Sequence, residues 1–356
     1  MTAVLQDYSL EELKTFLVSS GEKPFRAGQI FRGLHSGKKI SELTDLSKEL
    51  REKLIAEFAD EPVKILGEKT SKIDGTRKFL FELSDGNVIE GVLMKYKYGY
   101  TQCVSTQVGC RMGCTFCAST LNGLVRNLTA GEILAQITTV NRLIGGKLGD
   151  KRSVTNVVLM GSGEPLDNYD NVLKFLNLVS CGDGIGISQR NISLSTCGIV
   201  PKMYALSDAG VSVNLTVSLH EPFDEDRAKL MPVAKGYKVA EILKACDYYF
   251  EKTGRRYIFE YSLVRGKNDT EKCAEELVRI LRGRPCHVNL IRLNEVKERG
   301  LLSTSDKNAY EFAAKLEKGG LSATVRRQMG ADIDGACGQL RANYLKKDGG
   351  DTFWKE

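Results

Sequence analysis

The sequence predicts an α/β fold: a partial (β/α)6 barrel with a small helical N-terminal domain and a strand-rich linker. Two observations carry this. From Thr101 to about Gln328, apolar β-branched runs alternate with segments of helical periodicity, and such alternation implies a parallel sheet covered by helices. The units number about six or seven, too few to close an eight-fold barrel, so an open or partial barrel is expected, with its functional loops at the C-terminal ends of the strands. With 356 residues, 42% of them apolar and 27% charged, the chain can bury a core of that size.

The elements follow in order. In residues 1–61, Ser9 and Glu12 form a capping box ahead of Leu13, Phe16 and Leu17. Phe25, Ile30, Phe31 and Leu34 recur at helical spacing, and Leu43 to Phe58 repeats the pattern. Residues 62–100 read as strands: Val63–Leu66 and Phe79–Leu83 flank the turn signal Asp74-Gly75, and Asp85-Gly86-Asn87 precedes Val88–Met94. In the core, residues 101–328, the expected strands are Asn156–Met160, Ile192–Ser195, Val213–Leu219, Tyr257–Leu263, Val288–Ile291 and Ser322–Val325. Helices are expected from Thr129, where Glu132 completes a capping box, and near Val172–Val179, Val239–Phe250, Glu271–Leu281 and Ala309–Leu316. Residues 329–356 form a C-terminal segment with one dense motif, Asp332 to Leu340, followed by a polar stretch.

Composition removes several classes. Ten cysteines are too sparse for a disulfide-stapled scaffold. No run of about 18 apolar residues occurs, so no membrane span is expected. The first residues lack a basic start followed by an apolar stretch, so no signal peptide is expected and the cytoplasm is the expected location. A net charge of +6 permits a nucleic-acid partner without requiring one.

The spacing of the cysteines is the informative feature. Cys110, Cys114 and Cys117 form C-x3-C-x2-C on a loop made tight by Gly109 and Gly113. A structural zinc site would want four closed ligands, usually as two pairs, and no second pair exists. Three thiolates suit a 4Fe–4S cluster with one iron left open.

With Phe116 directly before the last cysteine, this loop resembles the signature of the radical S-adenosylmethionine (SAM) enzymes. The wider chain, from about Ser20 to Tyr344, is similar to the RlmN/Cfr family of RNA adenine methyltransferases. The resemblance rests on Cys103 to Cys110, Gly163-Glu164-Pro165-Leu166, Leu194-Ser195-Thr196, Ser218-Leu219-His220, Asn289-Leu290-Ile291 and Ala336-Cys337-Gly338-Gln339-Leu340. It implies a radical-SAM barrel, with Cys110, Cys114 and Cys117 holding the cluster and SAM on the open iron. It places Gly163 and Glu164 around the methionyl end, where a carboxylate can accept from the ammonium group. Ser195, Ser218, Leu219, His220 and Asn294 match further SAM-contacting positions. Ser162 stands where the family commonly has methionine.

The resemblance also implies that Cys337 is the methyl-accepting residue, Cys103 the resolving thiol and Glu90 the proton acceptor. Adenine C2 offers no lone pair to attack a methyl sulfonium, so the family uses SAM twice. One molecule methylates Cys337 and a second is the radical source. The methyl carbon then joins RNA to Cys337, and Cys103 releases it by forming a transient disulfide. The implied partners are 23S rRNA, tRNA and a flavodoxin- or ferredoxin-type electron donor, with no membrane and a monomeric chain. The N-terminal helical domain is implied to assist RNA binding.

Other features are shared with ordinary proteins. Cys181, Cys197, Cys246, Cys273 and Cys286 match no functional position and read as structural. Lys95 and Lys97 lie beside Tyr96, Tyr98 and Tyr100, and Arg279, Arg282 and Arg284 make a second basic spot; either could serve RNA or solvent. The target adenine is expected unstacked. Phe25 to Phe31 and Gly163-Glu164-Pro165 favour methylation at C2, the RlmN-type reaction. Arg327-Gln328-Met329-Gly330 and Met94-Lys95-Tyr96-Lys97 resemble the Cfr type, which methylates C8 of the same rRNA adenosine and confers antibiotic resistance. A third reading is an RNA-binding protein with a structural metal site.

Overall fold

The computed structural model describes residues 2–339 and the backbone of two short strands, Tyr344–Lys346 and Thr352–Trp354. Leu340, the last residue of the C-terminal motif, lies outside the described residues.

Three helices open the chain: α1 (Leu10–Ser19), α2 (Arg26–His35) and α3 (Lys48–Glu57). The capping box forms as its sequence requires: Ser9 Oγ accepts from the Glu12 N–H, and Glu12 reaches back to the Ser9 N–H. Ser47 caps α3. Leu13, Leu17, Ile30, Phe31, Leu50 and Leu54 bury their stripe in the same continuous core as the barrel strands.

β1 (Val63–Thr70), β2 (Arg77–Leu83), β3 (Val88–Tyr96) and β4 (Gly99–Cys103) form an antiparallel meander. β5 (Gln107–Gly109) and β6 (Leu124–Asn127) make a small separate pair. The remaining elements alternate: α4 (Ala130–Leu143), β7 (Val154–Leu159), α5 (Tyr169–Ser180), β8 (Ile192–Thr196), α6 (Val200–Asp208), β9 (Asn214–Ser218), α7 (Asp224–Leu230), α8 (Val239–Thr253), β10 (Tyr257–Leu263), α9 (Glu271–Leu281), β11 (Cys286–Arg292), α10 (Asp306–Lys318) and β12 (Ala323–Val325). Tyr344–Lys346 (β13) and Thr352–Trp354 (β14) pair antiparallel.

One ten-stranded sheet runs β1-β2-β3-β4-β7-β8-β9-β10-β11-β12. From β4 onward every pairing is parallel. The parallel strands follow in chain order without a reversal. Right-handed crossovers therefore put the helices on one face, and the sheet curls as an open barrel. β4 is the hinge of the design: it pairs antiparallel with β3 and parallel with β7, so the strand-rich stretch extends the barrel's own sheet. All the strand C-termini that carry the quoted motifs consequently face one mouth.

His35 gives the N-terminal packing a pH dependence. It is 1% exposed, packs against Phe31 with ring centroids 4.0 Å apart and planes tilted by 31°, and its Nδ1 accepts from the Ile185 N–H. Burial lowers its pKa from 6.5 to about 3. Above pH 6.5 both states are neutral; below it the unfolded chain takes up a proton that the native chain refuses. Native stability should therefore fall by about 1.4 kcal/mol per pH unit as pH drops below 6.5. His220, also lowered to about 3, adds the same slope. Urea unfolding at pH 7 and pH 5 should show a shallower loss for His35→Leu than for the wild type.

Candidate functional site

Two adjoining cavities open at the strand C-termini. The first is lined by Cys110, Cys114, Cys117, Gly163, Glu164, Ser195, Ser218 and His220. The second is lined by Met94, Cys103, Val158, Asn294, Arg326 and Met329. Met160, Ile291 and Cys337 line both. Cys337 thus stands at the junction between the three-cysteine loop and Cys103.

The cysteine loop is shaped by backbone geometry. Gly109 has φ +76°, and a Cβ there would lie 2.0 Å from the Gly123 carbonyl, so only glycine fits. The Cys110 N–H donates to that same carbonyl. Thr120 Oγ1 donates to the carbonyls of Cys114 and Cys117, and Arg299 donates to Cys117 O and Thr120 Oγ1. Burial pushes the Cys110 thiol up to about 12 and raises Cys114 and Cys117 as well. Buried thiols of this kind ionise only beside a positive centre. Among the described residues no three cysteine, histidine or carboxylate side chains converge as a single ion demands. A 4Fe–4S cluster takes each thiolate on a separate iron, and three cysteines around one cavity fit that donor set.

Gly163 has φ +108°, and a Cβ would come within 2.8 Å of the Gln107 backbone nitrogen. The Gln107 side chain accepts from the Glu164 N–H. The Glu164 carboxylate bridges two loops: Oε1 accepts from the Leu166 N–H and Oε2 from the Cys197 N–H. It is 4% exposed, and burial raises its pKa. It therefore joins the loop after β7 to the loop after β8 while still lining the cavity.

His220 adopts φ +56°, rare for a side chain with a Cβ. Its Nδ1 accepts from the Ser262 N–H at 2.9 Å, which leaves Nε2 as the protonated nitrogen of the neutral ring. Asn268, fully buried, donates to the carbonyls of His220 and Ser262 and accepts from the Val264 N–H, fixing this turn. Phe116 meets the His220 ring edge-on.

Two of the expected SAM-contacting residues sit elsewhere. The Leu219 side chain is fully buried in the core, and only its backbone faces neighbours, donating to Glu260 O and accepting from Arg227 Nε. Asn294 lines the second cavity, and its Nδ2 donates to the Cys337 carbonyl at 2.9 Å. Glu90 lines neither cavity. It is 1% exposed, paired with Lys78 at 2.9 Å, and it borders a third cavity with Val108 and Ser119. It lies two residues along β3 from Val92, the partner of Cys103. Cys103 and Cys337 are both free thiols. Burial pushes Cys103 up to about 12, with Cys337 beside it adding to the rise.

Sequence reading missed the wall between the cavities. Glu260 lines the first, Arg326 lines the second, and they pair at 3.1 Å. Cys337 and Glu260 beside it raise the Arg326 guanidinium's pKa, so it stays protonated. The partners are 66 residues apart, on β10 and just after β12, so no local motif announces them. Of the basic spots, Tyr96 and Tyr98 stack in parallel at 5.1 Å, with Tyr98 exposed. Arg279 and Arg284 are engaged by Glu276 and Asp247.

Comparison with known proteins agrees with this geometry. The radical SAM superfamily model matches residues 104–281, and the model of the ribosomal RNA large subunit methyltransferase N-terminal domain matches residues 4–59. A relative from Lachnoclostridium phytofermentans, named "Probable dual-specificity RNA methyltransferase RlmN", is 54% identical over 341 residues, 95% of this chain and 94% of its own. This chain belongs to the RlmN/Cfr family of radical SAM RNA methyltransferases. Another relative of the same name, from Clostridium perfringens, is 52% identical over 96% of this chain and 98% of its own. A solved radical SAM methyltransferase from Sphaerobacter thermophilus superposes with a TM-score of 0.90 at 40% identity, covering 96% of this chain and 99% of its own. The RlmN/Cfr assignment makes a 4Fe–4S cluster and SAM the implied cofactors, in keeping with the thiol-lined cavity. No helix among the described residues is long and apolar enough to cross a membrane.

Proposed function

We propose that this methyltransferase forms 2-methyladenosine in 23S rRNA, in the peptidyl transferase centre, and in tRNA next to the anticodon. The observation that carries the reading is the position of Cys337, which borders both the thiol-lined cavity and the cavity of Cys103. A 4Fe–4S cluster held on Cys110, Cys114 and Cys117 would supply the electron for reductive cleavage of SAM.

The chain's own residues supply the rest. Glu164, Ser195, Ser218 and His220 orient SAM in the first cavity. Cys337 accepts a methyl group by displacement and then carries its carbon to the adenine. Asn294 holds the Cys337 carbonyl, and so anchors the backbone that carries the sulfur. Either Cys103, which lines the second cavity, or Glu90, buried beside it on β3 with Lys78 as counter-charge, takes the C2 proton. Cys103 attacks Cys337 and frees the product. Met94, Met160 and Met329 give the second cavity an apolar, adaptable wall suited to a flipped base. Tyr98 and Lys97 lie on the hairpin beside it. Residues 1–61 are assigned to RNA capture, 62–100 to the sheet extension, 101–328 to the radical core and 329–356 to the carrier segment. A flavodoxin- or ferredoxin-type protein is the proposed electron donor to a monomer.

Nucleoside mass spectrometry of RNA treated with the reconstituted protein tests this. The expected product is 2-methyladenosine. Finding 8-methyladenosine would replace the reading with the Cfr type. Zinc without iron and sulfide, and no methylated nucleoside, would overturn the enzymatic reading.

A further inference from the structure

The hairpin between β1 and β2, together with Lys78 on β2, makes four polar contacts to residues 330–334, just before Cys337. Ser71 Oγ donates to Asp332 Oδ1 at 2.6 Å, and the Lys72 N–H donates to Asp332 Oδ2 at 3.0 Å. Asp74 Oδ2 accepts from the Gly330 N–H at 2.9 Å. Lys78 Nζ donates to the Asp334 carbonyl at 3.1 Å. The Ser71 hydroxyl is itself fixed, because its oxygen accepts from the N–H groups of Ile73 and Asp74.

We propose that this hairpin is the dock that holds the Cys337 segment in its reacting position, with Ser71 and Lys78 as positioning residues. The proposal rests on the carrier reading of Cys337.

The way the segment is held favours a dock over ordinary packing. Ala331, Asp332 and Asp334 are exposed, so burial of apolar surface does not fix this stretch. Asp334 has φ +51°, a left-handed conformation uncommon for a residue with a Cβ. The Lys78 bond is made to the carbonyl of that same residue, and so holds the chain in the conformation it disfavours. A stretch held by a few polar contacts opens more readily than one held by a core. A carrier thiol that must serve two cavities needs a segment of this kind.

Lys78 links the dock to the chemistry. Its ammonium is 3% exposed and is shared between the Asp334 carbonyl and Glu90 Oε1. One cation therefore sets the distance between a residue proposed to take the proton and the segment proposed to carry the methyl. These partners are 256 residues apart in the chain, and the hairpin brings them together.

The test uses full-length, anaerobically reconstituted protein carrying a trideuteromethyl group on Cys337. It measures iron content, 5′-deoxyadenosine formed, the deuterium in it, and methylated adenosine. Asp332→Ala is expected to keep the iron and SAM cleavage. The share of 5′-deoxyadenosine bearing deuterium, and product per SAM cleaved, should fall on the order of tenfold, since misplacement of a reacting group is costly. Asp332→Asn, which keeps one acceptor for Ser71, should lose less. The loss in Ser71→Ala/Asp332→Ala should be smaller than the product of the two single losses, because the two side chains share one interaction. Variants with wild-type deuterium transfer, or a loss of SAM cleavage in proportion to product, would overturn the dock alone. Wild-type protein that takes no methyl group on Cys337 would overturn the carrier reading, and the dock with it.

Discussion

Cys103→Ala is expected to leave substrate RNA covalently attached to the protein through Cys337. Once the methyl carbon bridges Cys337 and the base, release requires a second sulfur within reach. Cys103 is the other cysteine lining that cavity. It sits at the end of β4, opposite Val92, in a cluster with Met94 and Met329. Truncation there removes one sulfur from the cavity wall and leaves the cluster loop untouched. SAM cleavage should therefore persist, while released methylated adenosine falls by a factor on the order of 100 or more. Nuclease digestion followed by peptide mass spectrometry should find a nucleotide on the Cys337 peptide. Released product at the wild-type rate would remove Cys103 from the resolving role. The thiol's raised pKa gives the attack a pH dependence: the reactive thiolate is scarce near neutrality and grows as pH rises towards about 12.

The parts legible in the sequence are those written in local patterns. The capping boxes at Ser9 and Thr129 fix the starts of α1 and α4 to the residue. β8 is legible because Ile192 and Leu194 are buried and alternate with Ser193 and Ser195, and β10 because it is an aromatic and β-branched run buried along nearly its whole length. α6 and α7 were not legible. α6 opens on Pro201 and buries only part of its length, and α7 has seven residues, three of them acidic in its first turn. The motif Cys110-x3-Cys114-x2-Cys117 is dense enough to be read as one donor set. By contrast Glu90, a lone carboxylate in the strand-like Val88-Ile89-Glu90-Gly91-Val92, reads on its own as a solvated face residue, whereas β3 is buried from Val88 to Met94. Glu90 is buried because β2 supplies Lys78 beside it. Pairs such as Glu260–Arg326 and Lys78–Asp334 are set by tertiary contacts between distant stretches. Their residue types are among the commonest on any surface, so periodicity carries no trace of them.

Arg227→Met is expected to destabilise the fold and to weaken cluster retention together. Arg227 lies on α7 and is fully buried. Its Nε donates to the Leu219 carbonyl at 3.0 Å, and its Nη2 donates to the carbonyls of Cys197 at 2.8 Å and Ser218 at 3.1 Å. One guanidinium thus ties the end of β8 to the end of β9, the two loops that bring Cys197, Ser218 and His220 to the first cavity. Methionine fills much of the space but leaves three buried carbonyls without this donor. Charge-assisted bonds of this kind are worth more than neutral ones, while burial of the cation works against them, and the balance suggests a loss of about 3 kcal/mol. The midpoint of urea unfolding should fall, and iron bound per chain after reconstitution should drop, because Cys114 packs with Cys197 in one cluster. Arg227→Lys should fall between the two, since an ammonium keeps the charge but cannot fork across three carbonyls. An unchanged midpoint in Arg227→Met would show that the two strand ends are held by the sheet alone. Reduced iron with an unchanged midpoint would instead assign Arg227 to the charge balance of the cluster loop, a role that Arg227→Lys would restore.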